Sequence, residues 1–120
     1  MRTTYDGDPQ GLFDDVVKHL RQQQKRCLSD EGKCRYRANG LKCAVGGVMP
    51  DELYCAKYDI QDFHVGMLYE EADIVRFFGQ DNQRLLNELQ TVHDRNDVDN
   101  WENELKTVAQ TYGLKYEILN

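Results

Sequence analysis

Residues 33–54 read "KCRYRANGLKCAVGGVMPDELY", and the way this stretch pairs with itself decides the fold. Asn39 and Gly40 suit the two central positions of a type I′ turn, because both residues tolerate positive φ. With those two as the loop, Ala38 faces Leu41, Arg37 faces Lys42, Tyr36 faces Cys43, Arg35 faces Ala44 and Cys34 faces Val45. Side chains alternate between the two faces of a strand. One face therefore gathers Cys34, Tyr36, Ala38, Leu41, Cys43 and Val45, and the other gathers Arg35, Arg37, Lys42 and Ala44. A slip of one residue would turn the cations inward, so the pattern selects this register. A lone hairpin is marginal in water, so its apolar side is expected to lie on a helix.

That helix precedes it. Asp8-Pro9 is a start signal, since Asp caps free backbone N–H groups and Pro fits the first helical position. Leu12, Phe13, Val16, Val17 and Leu20 then form one stripe at helical spacing, and "SDEG" (29–32) ends the element. After the hairpin, Gly46-Gly47 permits a bend or a close backbone approach. Pro50, Asp51 and Glu52 open a short helix, "PDELYCAKY", followed by a loop anchored by Ile60 and Phe63. Met67 to Phe78 reads as a helix burying Leu68, Ile74, Val75 and Phe78, stopped by Gly79. Asp81 is placed to cap the next helix, with Leu85, Leu86, Leu89 and Val92 on one face. Asn96 or Asp97 caps the last, which carries Trp101, Leu105, Val108, Ala109 and Tyr112. Gly113 closes it, with Leu114 as the apolar contact that accompanies such a cap. Leu114, Tyr116 and Ile118 alternate, which suggests a third strand. The expectation is a single α+β domain over residues 1–120, mostly helical, with about five helices and one small antiparallel hairpin.

The 120 residues carry a formal charge of −6, unevenly spread. Between Lys18 and Lys42 there are eight basic and two acidic residues, a net of +6, which leaves −12 on the rest. The expected surface is bipolar, with a basic face at the first helix and hairpin and an acidic body. Duplex DNA is not expected as a partner, because the acidic body repels a polyanion. No apolar run is long enough to span a membrane, and the N-terminal residues lack an apolar signal-peptide core. A cytoplasmic protein with four reduced thiols follows as the expectation.

Four cysteines raise the questions of zinc and of thiol catalysis. Six, eight and eleven residues separate Cys27, Cys34, Cys43 and Cys55 in turn, so none of the short Cys-x2-4-Cys knuckles of zinc sites is present. The hairpin register turns Cys43 toward the core, where free cysteine behaves as a small hydrophobe. A nucleophilic thiol would need an exposed, electropositive setting and a histidine from among His19, His64 and His93. Phosphate-loop, dinucleotide, metalloprotease and serine-hydrolase motifs are absent. No catalytic residue, metal ligand or cofactor is therefore assigned. The candidate binding residues are Arg35, Arg37 and Lys42, since two guanidinium forks beside an ammonium match phosphate or carboxylate. A nucleotide, an RNA segment or an acidic protein surface would fit them. Pairing with acidic helices of the same chain would silence them. Tyr54, Tyr58 and Phe63 are candidates for core, dimer seam or binding patch.

The run from Cys34 to Tyr54 resembles a motif of small phage- and prophage-encoded proteins: Cys-x-Tyr-Arg, a Gly turn, Lys-Cys-Ala-Val/Ile-Gly, two apolar residues and Pro-Asp. Here it falls on Cys34, Tyr36, Arg37, Gly40, Lys42, Cys43, Ala44, Val45, Gly46, Pro50 and Asp51. Such proteins often carry a second cysteine where this chain has Gly47, a departure that weakens a metal or redox reading of the pair. The resemblance implies a phage accessory role in a bacterial host and supplies no reaction or catalytic residues. Together with the bipolar charge and the absence of catalytic motifs, it leads to the expectation of a protein that binds and modulates, by inhibition, a host macromolecule such as a defence component. The alternatives are an anion-binding module using the basic hairpin face for nucleotide or RNA, and a zinc- or cysteine-dependent enzyme.

Overall fold

The computed structural model describes residues 3–116. Helix α1 (Pro9–Gln23) starts as the sequence dictates, with the Asp8 carboxylate accepting from the Gly11 N–H at 3.0 Å and Pro9 in the first turn. It ends earlier than "SDEG". Gln24 takes a left-handed conformation at φ 53°, and its N–H closes on the Leu20 carbonyl. Residues beyond it form a tight loop in which Leu28 and Cys34 make an isolated antiparallel bridge and Gly32 turns at φ 80°.

Strands β1 (Arg37–Ala38) and β2 (Leu41–Lys42) pair in the expected register, Arg37 opposite Lys42 and Ala38 opposite Leu41. Asn39 and Gly40 both have positive φ, as the tight turn requires. The hairpin is shorter than its alternation suggests. The Cys43 N–H still bonds the Tyr36 carbonyl, but Cys43 then becomes the N-cap of helix α2 (Ala44–Val48). Ala44, expected on the basic outer face, is fully buried, and Cys34 pairs with Leu28 instead of Val45. A five-residue apolar run fits a buried strand and a buried helix equally well, and tertiary packing chooses.

Gly46-Gly47 is accordingly no bend. Both glycines lie inside α2, where a Cβ on Gly46 would overlap the Tyr36 carbonyl oxygen and one on Gly47 would overlap the His19 ring. The pair lets a helix pass against the backbone of Tyr36, just ahead of β1, and against the His19 ring of α1. Helix α2 packs on α1 and on α6 (Gln83–Arg95).

The middle of the chain is more broken than its periodicity indicates. Residues 50–56 form turns, and the short helix there is α3 (Lys57–Ile60). Helix α4 (Val65–Leu68) and helix α5 (Ala72–Phe78) replace the single helix expected over 67–78. Helix α5 buries Phe77 together with Ile74 and Phe78, while Val75 is only half-buried. Ile60, expected to anchor the loop, is 77 % exposed, whereas Phe63 packs against the core. Asp81 does not cap α6. A 3-10 turn over Gln80–Asn82 leads in, and the buried Asn82 amide donates to the carbonyls of Tyr5 and Phe78.

Helix α7 (Trp101–Tyr112) follows another 3-10 turn, Val98–Asn100, and neither Asn96 nor Asp97 caps α7 with its side chain. Its C-terminal end matches expectation: Gly113 is left-handed and the Leu114 N–H reaches the Ala109 carbonyl. No third strand forms among the described residues. Lys115 pairs its backbone with the Gln10 side chain of α1, and Ile118 lies outside the described residues. The result is a mostly helical α+β fold with seven helices among the described residues and one two-stranded antiparallel sheet. One apolar cluster fills it, drawn chiefly from α1, α5, α6 and α7, with Tyr36, Cys43, Ala44 and Val45 completing one side.

Candidate functional site

The three cations singled out by the sequence do not form one open site. Arg37 leaves β1 toward the end of α2. There it pairs with Asp51 at 2.7 Å, donates to the Met49 carbonyl at 2.6 Å and lies 4.7 Å from the centre of the Tyr54 ring. Only 17 % of its side chain is exposed. Lys42 reaches the same carboxylate more loosely, at 3.9 Å, with 43 % of its side chain in solvent. Arg35 turns the other way and pairs with Asp62 at 2.5 Å, 18 % exposed. An incoming phosphate would have to displace Asp51 from Arg37 and Asp62 from Arg35.

Behind these cations stands Asp59, at the middle of α3. Its two carboxylate oxygens accept from the backbone N–H groups of Tyr36 (2.7 Å) and Arg37 (3.2 Å) and from the Tyr54 hydroxyl (2.6 Å). Burial, and then the bond to Asp59, push the Tyr54 hydroxyl well above the usual range, so it stays a donor. The other edge of the hairpin is held in the same way. Gln23 accepts from the Lys42 N–H and donates to the Lys42 carbonyl, which also receives Nε2–H of His19 at 2.9 Å. Two side chains of α1 thus stand in for a missing neighbouring strand.

Of the two cysteines that hairpin parity turns inward, Cys43 is placed so, though for a partly different reason, whereas Cys34 is only half-buried and lines a surface cleft. Cys43 is fully buried, and its Sγ accepts from the Gly46 N–H at 3.2 Å as the cap of α2. Burial raises its thiol well above the ordinary value. Cys27 is also buried, its thiol is pushed up to about 11 by burial, and it donates to the Leu41 carbonyl. Neither is poised as a thiolate.

Cys34, His93 and Asp94 are the one group of donor side chains among the described residues close enough to hold an ion, all within 4.8 Å of one another. Their hydrogen bonding opposes it. The Cys27 backbone N–H donates to Nε2 of the buried His93 at 2.8 Å, so that nitrogen presents its lone pair and the proton sits on Nδ1, donated to Asp94 at 2.7 Å. A metal on Nδ1 would move the proton to Nε2 and set it against the Cys27 N–H. A metal on Nε2 would displace that same N–H. The Arg26 guanidinium, 3.4 Å from the Cys34 sulfur, adds a repelling charge. The same wiring leaves Cys34 without a base, because the lone pair of His93 is already engaged. Its thiol is raised, first by burial and then by Asp94. His93 and Asp94 form a structural relay that ties the 27–34 loop to α6.

Sequence reasoning missed Asp59, Gln23, Gln90 and His93 as organisers of this region. Gln90 is buried and accepts the Val45 N–H at the start of α2. A signal existed for two of them: Gln90 and His93 follow Leu86 by four and seven residues, which puts polar groups on the apolar stripe of α6. Beside Arg35 and Cys34 opens a cleft of about 290 Å3, walled by Asp62 and Phe63 on one side and by Asn87, Thr91 and Arg95 of α6 on the other. Tyr54 and Phe63 pack at the core's edge and Tyr58 is buried, which answers the question of their placement. No helix among the described residues is long and apolar enough to cross a membrane. No family model, curated protein or solved structure matches this chain.

Proposed function

We propose that this protein is a phage-type accessory protein that binds and inhibits a host macromolecule in the cytoplasm, by surface recognition and without chemistry of its own. The observation that carries the reading is that the arginines of the basic segment best placed to bind an anion are paired internally. Arg35, Arg37 and Arg21 each pair with a carboxylate of the same chain, at Asp62, Asp51 and Glu102. Binding by an anion at the hairpin is thereby opposed, while the surplus acid of a chain with charge −6 remains on the outside. A partner with a basic surface fits that charge, and its encounter would be accelerated at low salt. The motif resemblance around Cys34–Asp51 supports the phage setting, in which a host component such as a defence protein is the partner proposed.

The test is affinity capture from bacterial lysate with the tagged full chain, at low and at high salt. A stoichiometric partner retained at low salt and weakened at high salt is expected, and its isolated activity should fall when the protein is added. Recovery of no such partner, or of one whose activity is untouched, would overturn the reading. The triple variant Arg35→Ala, Arg37→Ala, Lys42→Ala provides the contrast. It should leave partner capture largely intact, whereas RNA or nucleotide binding that disappears in it would favour the anion-binding module.

A further inference from the structure

We infer that the groove between α6 and α7 docks a basic, amphipathic helical segment of the partner, an inference that rests on the binding function proposed above. The groove has a volume of about 260 Å3 and its floor is the buried pair Val92 and Val108. Three exposed threonines form its walls. Each hydroxyl is turned back to a carbonyl of its own helix: Thr91 to Asn87 at 2.9 Å, Thr107 to Asn103 at 3.2 Å and Thr111 to Thr107 at 3.0 Å. A hydroxyl bonded four residues back spends its hydrogen on its own helix and has no proton left to donate to a ligand. The walls are therefore less polar toward a ligand than the sequence there reads.

Size and charge select the occupant. Small-molecule sites usually occupy roughly 300–1,000 Å3, so this groove suits aliphatic side chains from a docked segment better than a free ligand. Glu88 and Glu104, both exposed, line it, Glu88 also accepting from the Tyr112 hydroxyl, and no lysine or arginine is among the lining residues. A helix laid along such a groove presents aliphatic residues three and four apart, and basic residues flanking them would face the two glutamates. An acidic helix, or a nucleic acid, would place its anions against the same carboxylates.

Selection of displayed helical peptides on the full chain, with counter-selection on the Thr107→Arg variant, tests this directly. Thr107 is exposed, so the arginine fills the groove without entering the core. Enriched peptides should carry Lys or Arg around aliphatic residues at helical spacing. They should lose at least about tenfold in affinity for Thr107→Arg and severalfold for the Glu88→Gln, Glu104→Gln pair, with affinity falling as salt rises. Circular dichroism confirms the fold of each variant, and Thr111→Arg blocks the same groove if the first variant is unfolded. Peptides that are acidic, peptides that bind all variants equally, or no groove-dependent peptide at all would overturn the inference. An RNA oligonucleotide whose binding disappears in the same variants would overturn it too. A host partner that binds Thr107→Arg undiminished would refute the groove and leave the binding function standing. Groove-dependent peptides without any host partner would do the reverse.

Discussion

Helices α1, α6 and α7 and the segment from Cys27 to Phe63 are built on opposite principles. The helices satisfy their own backbones and meet through continuous apolar stripes, from Leu12 to Leu20, Leu85 to Val92 and Trp101 to Ala109. The other segment has two-residue strands and short helices, so its backbone is satisfied by local turns and a short ladder that leave the hairpin edges and the loop and helix starts without regular partners. Side chains supply those, one from within the segment and four from α1 and α6. Asp59 serves Tyr36 and Arg37, Gln23 and His19 serve Lys42, Gln90 serves Val45, and His93 serves Cys27. A buried backbone group without a partner costs about as much as a lost hydrogen bond, so irregular chain inside a fold obliges the rest of the molecule to provide polar groups.

The sharpest trial of that contrast sets Leu89→Ala against Asp59→Ala. Truncating a fully buried leucine should lower stability by about 2–5 kcal/mol and speed amide exchange throughout the helices. Asp59→Ala leaves two backbone donors and the Tyr54 hydroxyl unpaired and should cost about 3 kcal/mol, with exchange rising first at Tyr36, Arg37 and Cys43. Urea denaturation and hydrogen exchange by NMR read both. A loss below about 0.5 kcal/mol for Asp59→Ala would break the comparison. Gln90→Leu, which keeps the side chain's bulk but orphans the Val45 N–H, should cost about 1–2 kcal/mol by the same measurements. Arg35→Ala removes only a pair whose acid is largely exposed, and a loss under about 1 kcal/mol is expected. An effect as large as that of Asp59→Ala would mean that the cations hold the hairpin after all.

His19 gives the smallest and most selective signal. Burial lowers its pKa in the folded state, with the bond to the Lys42 carbonyl acting partly against that. The unfolded chain therefore binds the extra proton first. Stability from this group is complete above the unfolded value of 6.5 and declines as pH falls through 6.5 toward the folded value. Glu102 is held low by Arg21, so its share is complete above 4.5 and fades only at more acidic pH. Urea midpoints measured across this range for wild type and His19→Gln should diverge in slope below pH 6.5. Parallel curves would separate His19 from the hairpin edge.

How legible each region was follows from the same contrast. Periodicity over twelve or more residues marks α1, α6 and α7 directly, and the Asp8, Gly113 and Asn39-Gly40 signals act within four residues of themselves. In sequence the run Ala44–Val48 fits strand and bend as well as helix, because five apolar residues carry too little period to tell the two apart. The basic face was legible as composition but not as a site. Asp51 and Asp62 lie 14 and 27 residues from the arginines they neutralise, and no local pattern announces such a pairing. The threonine-lined groove was hidden for a related reason. Residue type marks a threonine as polar, and only the structure shows that its hydroxyl is already spent on its own helix.

From the chain alone come the mostly helical fold class, the turn at Asn39-Gly40, the register of β1 and β2 and the inward placement of Cys43. All of these depend on neighbours in sequence, through helical period, strand parity and the φ that a residue tolerates. Tertiary structure decided where the hairpin stops, which carboxylate each arginine meets, and that His93 is wired to Cys27 and Asp94 in a way that opposes a metal. Those outcomes turn on hydrogen bonds and ion pairs between residues far apart in sequence, and their geometry exists only once the helices have packed.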